Sequence, residues 1–123
     1  MSKKILICDD DEGIRESLKL ILEDHYELIL TVDGEQCLQL LKQSKDVGLV
    51  FLDIKMPKIH GLEILESIKK KHPKINVVMV TGYQSVDTAS VAANRGASGY
   101  IIKPFKRTEI LDSAKRNLGR DAS

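Results

Sequence analysis

The chain has 123 residues, 42% of them hydrophobic and 30% charged, and its 19 basic and 18 acidic side chains leave a formal net charge of +1. This length predicts one domain over residues 1–123, with a core from about residue 4 to 118 and a short C-terminal tail. The balanced charge argues against attraction to nucleic acid or an anionic membrane. The first apolar run is too short for a signal peptide or a membrane span, so a cytoplasmic location is expected.

Five short apolar runs alternate with longer segments of helical periodicity. The runs are residues 5–8, 28–32, 49–52, 77–80 and 100–102. Continuous apolar runs of this length are typical of strands buried on both faces of a parallel sheet. We therefore predict five buried strands, each followed by a helix.

Each helical segment carries apolar residues spaced to face a core. They are Ile14, Leu18, Ile21 and Leu22, then Leu38, Leu40 and Leu41, then Leu62, Leu65 and Ile68, then Val86, Ala89, Ala92 and Ala93, and finally Ile110, Leu111, Ala114 and Leu118. On the first helix, Arg15, Glu16, Lys19 and Glu23 are expected to face water. Five strand–helix units predict an α/β fold with right-handed crossovers and helices on both faces of the sheet.

Polar residues follow four of the five apolar runs. Acids at 9–12 follow the first, Asp53 the third, Thr81 the fourth and Lys103 the fifth. The carboxyl ends of parallel strands meet at one edge, where such sheets bind ligands. Crowded carboxylates need a cation and their oxygens suit Mg²⁺, while a lysine offers positive charge to an anion. A carboxylate beside Mg²⁺ can act as the nucleophile in phosphoryl transfer.

Each of these residues also has a structural interpretation when taken alone. The acids at 9–12 could cap a helix and complement its dipole, and we expect only that role for Asp11 and Glu12. Asp53 could cap the following turn and Thr81 could end a strand. Their joint occurrence at the ends of strands of one sheet favours a functional site.

Four segments together resemble the receiver domains of bacterial response regulators in two-component systems. They are Ile-Leu-Ile-Cys-Asp-Asp-Asp at 5–11, Leu-Asp-Ile-Lys-Met-Pro at 52–57, Thr-Gly at 81–82 and Lys-Pro-Phe at 103–105. The resemblance extends from about residue 4 to 118. It implies a flavodoxin-like (CheY-like), doubly wound, five-stranded parallel sheet of order 2-1-3-4-5 with five helices.

The resemblance also implies the roles of the acidic residues. Asp53 would be the phosphoacceptor, and Asp10, Asp53 and the backbone carbonyl of Lys55 would bind Mg²⁺ (or Mn²⁺) directly. Asp9 would act through a metal-bound water. Lys103 would pair with the acceptor carboxylate and then with the phosphoryl group, across a cis bond to the following proline.

The resemblance further implies a conformational switch. Thr81 would bond a phosphoryl oxygen and vacate space into which Tyr100 rotates, which changes the face formed by the fourth helix, fifth strand and fifth helix. The implied partners are a sensor histidine kinase or phosphotransfer protein and a downstream partner or output domain on that face. No direct contact with membrane or nucleic acid is expected, and a phosphorylation-dependent homodimer is left open.

Three positions vary within the family pattern. His60 stands before Gly61 where an acid or amide is usual, and is expected to weaken a turn or cap. Lys55 and Tyr83, two residues after Asp53 and Thr81, would flank the attacking water and slow self-dephosphorylation.

Three other functional classes are alternatives to a phosphoacceptor. A flavin-binding flavodoxin needs a phosphate cradle where this chain has acids. A Mg²⁺-dependent phosphatase needs a second acid where this chain has Lys55. The alternative that stays open is a receiver-like interaction module that acts without phosphorylation. The expectation is therefore a signalling phosphoacceptor with no enzymatic activity beyond self-phosphorylation and slow self-dephosphorylation.

Overall fold

The architecture is a five-stranded parallel sheet, seen in a computed structural model that describes residues 3–56 and 59–118. The strands are β1 (Lys4–Cys8), β2 (Leu28–Thr31), β3 (Val47–Leu52), β4 (Asn76–Thr81) and β5 (Gly99–Ile102). The helices are α1 (Glu12–Leu22), α2 (Gly34–Gln43), α3 (Gly61–Lys71), α4 (Val86–Asn94) and α5 (Arg107–Leu118). The sheet order β2-β1-β3-β4-β5 confirms the prediction. The predicted tail at 119–123 and the motif residue Pro57 lie outside the described residues.

Two apolar cores lie on opposite faces of the sheet because successive side chains of a strand point to opposite sides. In β1, Leu6 and Cys8 join the core beneath α2, α3 and α4, whereas Ile5 and Ile7 join the core beneath α1 and α5. All four side chains are fully buried. Burial on both faces explains why the central strands read as continuous apolar runs.

Side-chain caps fix where the helices begin. Asp11 accepts a hydrogen bond from the Ile14 amide at the start of α1, at 3.2 Å, as expected for a capping role. Asp33 does the same for α2 and Ser85 for α4. At α3, Nδ1 of His60 accepts from the Leu62 amide at 3.2 Å. His60 therefore still caps this helix, since an unprotonated ring nitrogen can replace a carboxylate as acceptor, and a weaker cap than an acid would give stays a prediction.

The apolar face of α4 differs from the predicted one. Ala92 is its only fully buried residue within the described chain, and Val86 is 79% exposed. Val86 precedes Ala92 by six positions, which places it roughly 120° around a helix of 3.6 residues per turn. The hydrophobicity of Val86 was therefore misleading, and α4 contacts the sheet through small residues.

Both cysteines, Cys8 and Cys37, are buried thiols. A hydrogen bond between Cys37 and Cys8, together with burial, holds the pKa of the Cys37 thiol far above its ordinary value. A thiol that stays protonated is a poor nucleophile, which favours a packing role for Cys37.

The longest helix in the described part of the chain has 12 residues, and none there is long and apolar enough to cross a bilayer.

Candidate functional site

Four loops at the carboxyl edge of the sheet bring the predicted polar residues together. Backbone hydrogen bonds continue beyond the strands, with the Asp53 amide donating to the Cys8 carbonyl at 3.1 Å and the Lys103 amide donating to the Thr81 carbonyl at 2.8 Å. Asp53 and Thr81 are only 6% and 1% exposed. The sheet itself therefore holds these side chains in place.

Three carboxylates converge at this edge. One oxygen from each of Asp9, Asp10 and Asp53 lies within 4.8 Å of the others. Asp9 and Asp53 are buried, whereas Asp10 is exposed. Buried like charges at this separation repel one another unless a cation neutralises them. Oxygen donors with one solvent-facing side suit Mg²⁺, which keeps several of its waters, so the residues present fit a divalent cation.

The ammonium of Lys103 partly neutralises this cluster. Its Nζ lies 2.9 Å from Oδ2 of Asp9 and 3.4 Å from Oδ2 of Asp53. The contact with Asp53 that the family resemblance implies is therefore present, and Asp9 is the closer of the two partners. Burial lowers the pKa of Lys103, but the contacts with Asp9 and Asp53 raise it by more, so it stays charged. The predicted cis bond between Lys103 and Pro104 is present.

Both carboxylate oxygens of Asp9 accept hydrogen bonds. Its Oδ1 accepts from the Asp11 amide at 2.9 Å. Burial raises the pKa of the Asp9 carboxyl, and the neighbouring Asp53 adds to this, against the lowering by Asp11 and Lys103. Burial thus destabilises the charged form of the Asp9 carboxylate, and a cation in the site would stabilise it.

Arg15 was missed by the sequence reasoning, which had placed it on the water-facing side of α1. It is half-buried, and its Nη1 donates to the Asp9 carbonyl at 2.8 Å. The contact fixes the backbone of the acidic loop from one helical turn away. Helical periodicity assigned the direction of the residue correctly, but could not show that a long guanidinium would fold back onto the loop.

The backbone of Asp53 and Ile54 passes close to Gly61 at the start of α3. Its Oδ1 accepts from the Ile54 amide at 2.8 Å, and the Gly61 amide donates to the Ile54 carbonyl at 2.7 Å. A Cβ atom at Gly61 would collide with the Asp53 carbonyl oxygen and with Cα of Ile54. Only glycine permits this close approach, which positions the loop that carries Asp53.

The backbone of Tyr83 connects Thr81 to Tyr100. The Tyr83 amide donates to Oγ1 of Thr81 at 3.3 Å, and the Tyr100 hydroxyl donates to the Tyr83 carbonyl at 3.0 Å. Burial, followed by the proximity of Tyr83, raises the pKa of the Tyr100 hydroxyl. The sequence had paired Thr81 with Tyr100 directly and did not predict the intervening peptide.

The side chains at two of the remaining predicted positions are exposed. Lys55 is exposed in the loop after Asp53, and Tyr83 is 39% exposed. Gly82 has open space where a side chain would be, which leaves the backbone beside Thr81 accessible.

Comparisons with known proteins agree with this geometry. The family model of the response regulator receiver domain matches residues 5–115. The chain is 34% identical over 119 residues to sporulation initiation phosphotransferase F of Bacillus subtilis, covering 96% of this chain and 95% of that protein. It is 34% identical to response regulator protein FleR of Pseudomonas aeruginosa over 95% of this chain, but spans only 25% of FleR.

A solved structure extends the likeness to three dimensions. The response regulator receiver domain protein (CheY-like) from Methanospirillum hungatei JF-1 superposes with a TM-score of 0.89 at 36% identity, over 96% of this chain and 94% of that one.

Proposed function

The chain belongs to the response regulator receiver domain family, and from this we propose that Asp53 is its phosphoacceptor. The observation that carries the proposal is the position of the Asp53 carboxylate, buried at the end of β3, 3.4 Å from the Lys103 ammonium and within 4.8 Å of two other carboxylates. The donor would be the phosphohistidine of a sensor histidine kinase or phosphotransfer protein. A carboxylate oxygen of Asp53 would form the new P–O bond as the P–N bond to the donor imidazole breaks.

We propose that Asp10, Asp53 and the backbone carbonyl of Lys55 hold Mg²⁺ (or Mn²⁺), with Asp9 acting through a metal-bound water. When bound, the ion would neutralise charge on the incoming phosphoryl group. Arg15 supports this arrangement through its hydrogen bond to the Asp9 carbonyl. The raised pKa of the Asp9 carboxyl supports it as well, because a buried anion gains from a nearby cation.

Two further side chains would bind the phosphoryl group. Lys103 lies close enough to Asp53 to pair with the phosphoryl oxygens, which would carry the negative charge once Asp53 is phosphorylated. The Thr81 hydroxyl, whose oxygen accepts from the Tyr83 amide in this structure, would donate to another of these oxygens.

The hydrogen bonds of Tyr83 suggest how the switch is transmitted. Movement of the Thr81 hydroxyl toward the phosphoryl group would release the Tyr83 amide and loosen the peptide whose carbonyl holds the Tyr100 hydroxyl. Tyr100 would then turn inward, and the α4-β5-α5 face would change. We propose this face as the docking surface for a downstream partner or output domain, or for a phosphorylation-dependent homodimer, in a cytoplasmic protein.

Intact-protein mass spectrometry after incubation with acetyl phosphate tests the proposal. We expect one phosphoryl adduct in the presence of Mg²⁺ and none, or a greatly slowed reaction, with EDTA, because crowded carboxylates repel an anionic donor without a cation. Equal phosphorylation with EDTA would refute the metal assignment. Absence of an adduct under both conditions would favour the alternative of an interaction module that acts without phosphorylation.

Lys55 and Tyr83 are proposed to slow self-dephosphorylation by shielding the acyl phosphate from water. The double variant Lys55→Asn, Tyr83→Ala is expected to hydrolyse its phosphate several times faster than wild type, as measured by loss of the adduct over time. Lys70→Asn in the last turn of α3 removes the same type of charge far from the site and is the control. Equal or slower hydrolysis in the double variant would refute the shielding.

A further inference from the structure

A cavity lies away from the acidic site. It is an open groove of about 710 Å³. Its walls come from the end of α2, the loop before β3, the loop between α3 and β4, and Lys3 before β1. These segments precede the strands, so the groove opens at the edge of the sheet opposite to the carboxylate cluster.

Four lysines border this groove, and none of its described lining residues is acidic. They are Lys3, Lys42, Lys45 and Lys74. All four are exposed. None of them forms an ion pair with another residue in 3–56 or 59–118. The whole chain carries a formal charge of only +1, so this concentration of positive charge is local. We call this set of residues the basic groove.

Lysines are favoured in the last turn of a helix, where they complement the helix dipole, but this preference explains only part of the positive charge. Of the four lysines, only Lys42 lies in the last turn of a helix. The last turn of α3 has its own lysines at 69–71, which do not line the groove. The nearby acid Asp46 is engaged by Lys4, at 3.4 Å. The charges of Lys3, Lys45 and Lys74 are therefore available to an external anion.

The floor of the basic groove is apolar. Leu41, Val47 and Ile75 line it, and each is less than one-tenth exposed. A cavity of this size with an apolar floor and a few charged groups at its rim matches the general description of a binding site. The occupant should then combine an apolar group with several negative charges.

The lining of the groove argues against a compact phosphate as that occupant. Compact phosphates favour helix N-termini, glycine-rich cradles or arginine forks, whereas helices α2 and α3 end at this groove and no arginine is among its described lining residues. Lysines on separate segments are better suited to separate carboxylates distributed along an extended ligand.

We propose that the basic groove binds an acidic peptide segment of a partner protein, with an apolar side chain on its floor and carboxylates at its lysines. This site is separate from the α4-β5-α5 face. Peptide binding is proposed for the unphosphorylated protein, so the proposal does not depend on phosphorylation of Asp53.

Fluorescence anisotropy with a labelled synthetic peptide of alternating glutamate and leucine tests this. The double variant Lys42→Glu, Lys74→Glu is expected to bind the peptide at least about 10-fold more weakly than wild type, because reversed charges in the groove repel it. Lys19→Glu, Lys106→Glu makes the same total charge change outside the groove and should bind nearly as wild type does. Raising the NaCl concentration should weaken wild-type binding.

A second peptide and a compact anion complete the design. A glutamate-only peptide of equal charge should bind more weakly, because it leaves the apolar floor uncovered, and tripolyphosphate should compete poorly. Lack of binding at low salt, or equal losses in both double variants, would overturn the proposal. Tripolyphosphate binding tighter than the peptide would also overturn it and would assign the groove to a compact polyanion. Circular dichroism of the groove variant checks that it is folded.

Discussion

Asp53→Asn is expected to accept no detectable phosphoryl group from acetyl phosphate in the presence of Mg²⁺. The amide has nearly the shape of the carboxylate but lacks its nucleophilic anion and is a weaker metal ligand. The substitution also removes a like charge that raises the pKa of Asp9, while Lys103 keeps its 2.9 Å partner. The fold should therefore persist while the chemistry is lost, as intact-protein mass spectrometry and circular dichroism would show.

Asp11→Asn is the matched control for this experiment. Asp11 belongs to the same acidic run, but its side chain caps α1 by accepting from the Ile14 amide. Asparagine is an equally good capping residue, so stability and phosphorylation should both be nearly unchanged. An adduct that survives in Asp53→Asn would show that another residue is the nucleophile. Loss of the adduct in Asp11→Asn as well would show that the overall acidity of the loop matters rather than one carboxylate.

Gly61→Ala is expected to lower the free energy of unfolding by about 3 kcal/mol, a large effect for the addition of one methyl group. The new Cβ would collide with the Asp53 carbonyl oxygen and Cα of Ile54, which are backbone atoms and cannot rotate away. Relief requires movement of α3 or of the loop after β3. Urea denaturation would measure the loss, and phosphorylation should slow as well because the displaced segment carries Asp53.

Gly82→Ala is the control for the glycine substitution. A Cβ at Gly82 would meet nothing within 4 Å, so the free energy of unfolding should change by less than about 1 kcal/mol. If Gly61→Ala were as stable as wild type, the close crossing of α3 over the loop after β3 would not be a constraint in solution.

Expectations from sequence were most accurate for the sheet and for the residues at its carboxyl edge. Each strand bound lies within two residues of its predicted position, because strands buried on both faces read as unbroken apolar runs. The order β2-β1-β3-β4-β5 came from the family resemblance, since strand–helix alternation alone specifies a parallel sheet but not its order. The sequence also predicted that Asp9, Asp53 and Lys103 meet at the carboxyl edge of the sheet, and the structure places them in contact there.

Expectations failed where side-chain reach or helix orientation decided the outcome. Val86 was assigned to an apolar face and is exposed, while Arg15 was assigned to water and instead binds the Asp9 carbonyl. The contact between Lys103 and Asp53 was expected and is present, but the shorter contact with Asp9 was not predicted. Periodicity describes the direction in which a residue leaves its helix, but not the distance to a group on another element.

The sequence by itself determined the fold class, the carboxylate edge and the family, because these depend on patterns that are local along the chain. Only the tertiary structure decided which carboxylate the Lys103 ammonium contacts more closely, that the Tyr83 peptide lies between Thr81 and Tyr100, and that a basic groove forms at the opposite edge. The groove lysines come from separate segments with no common motif. Their proximity arises from the packing of α2 and α3 against the sheet, and no local pattern records it.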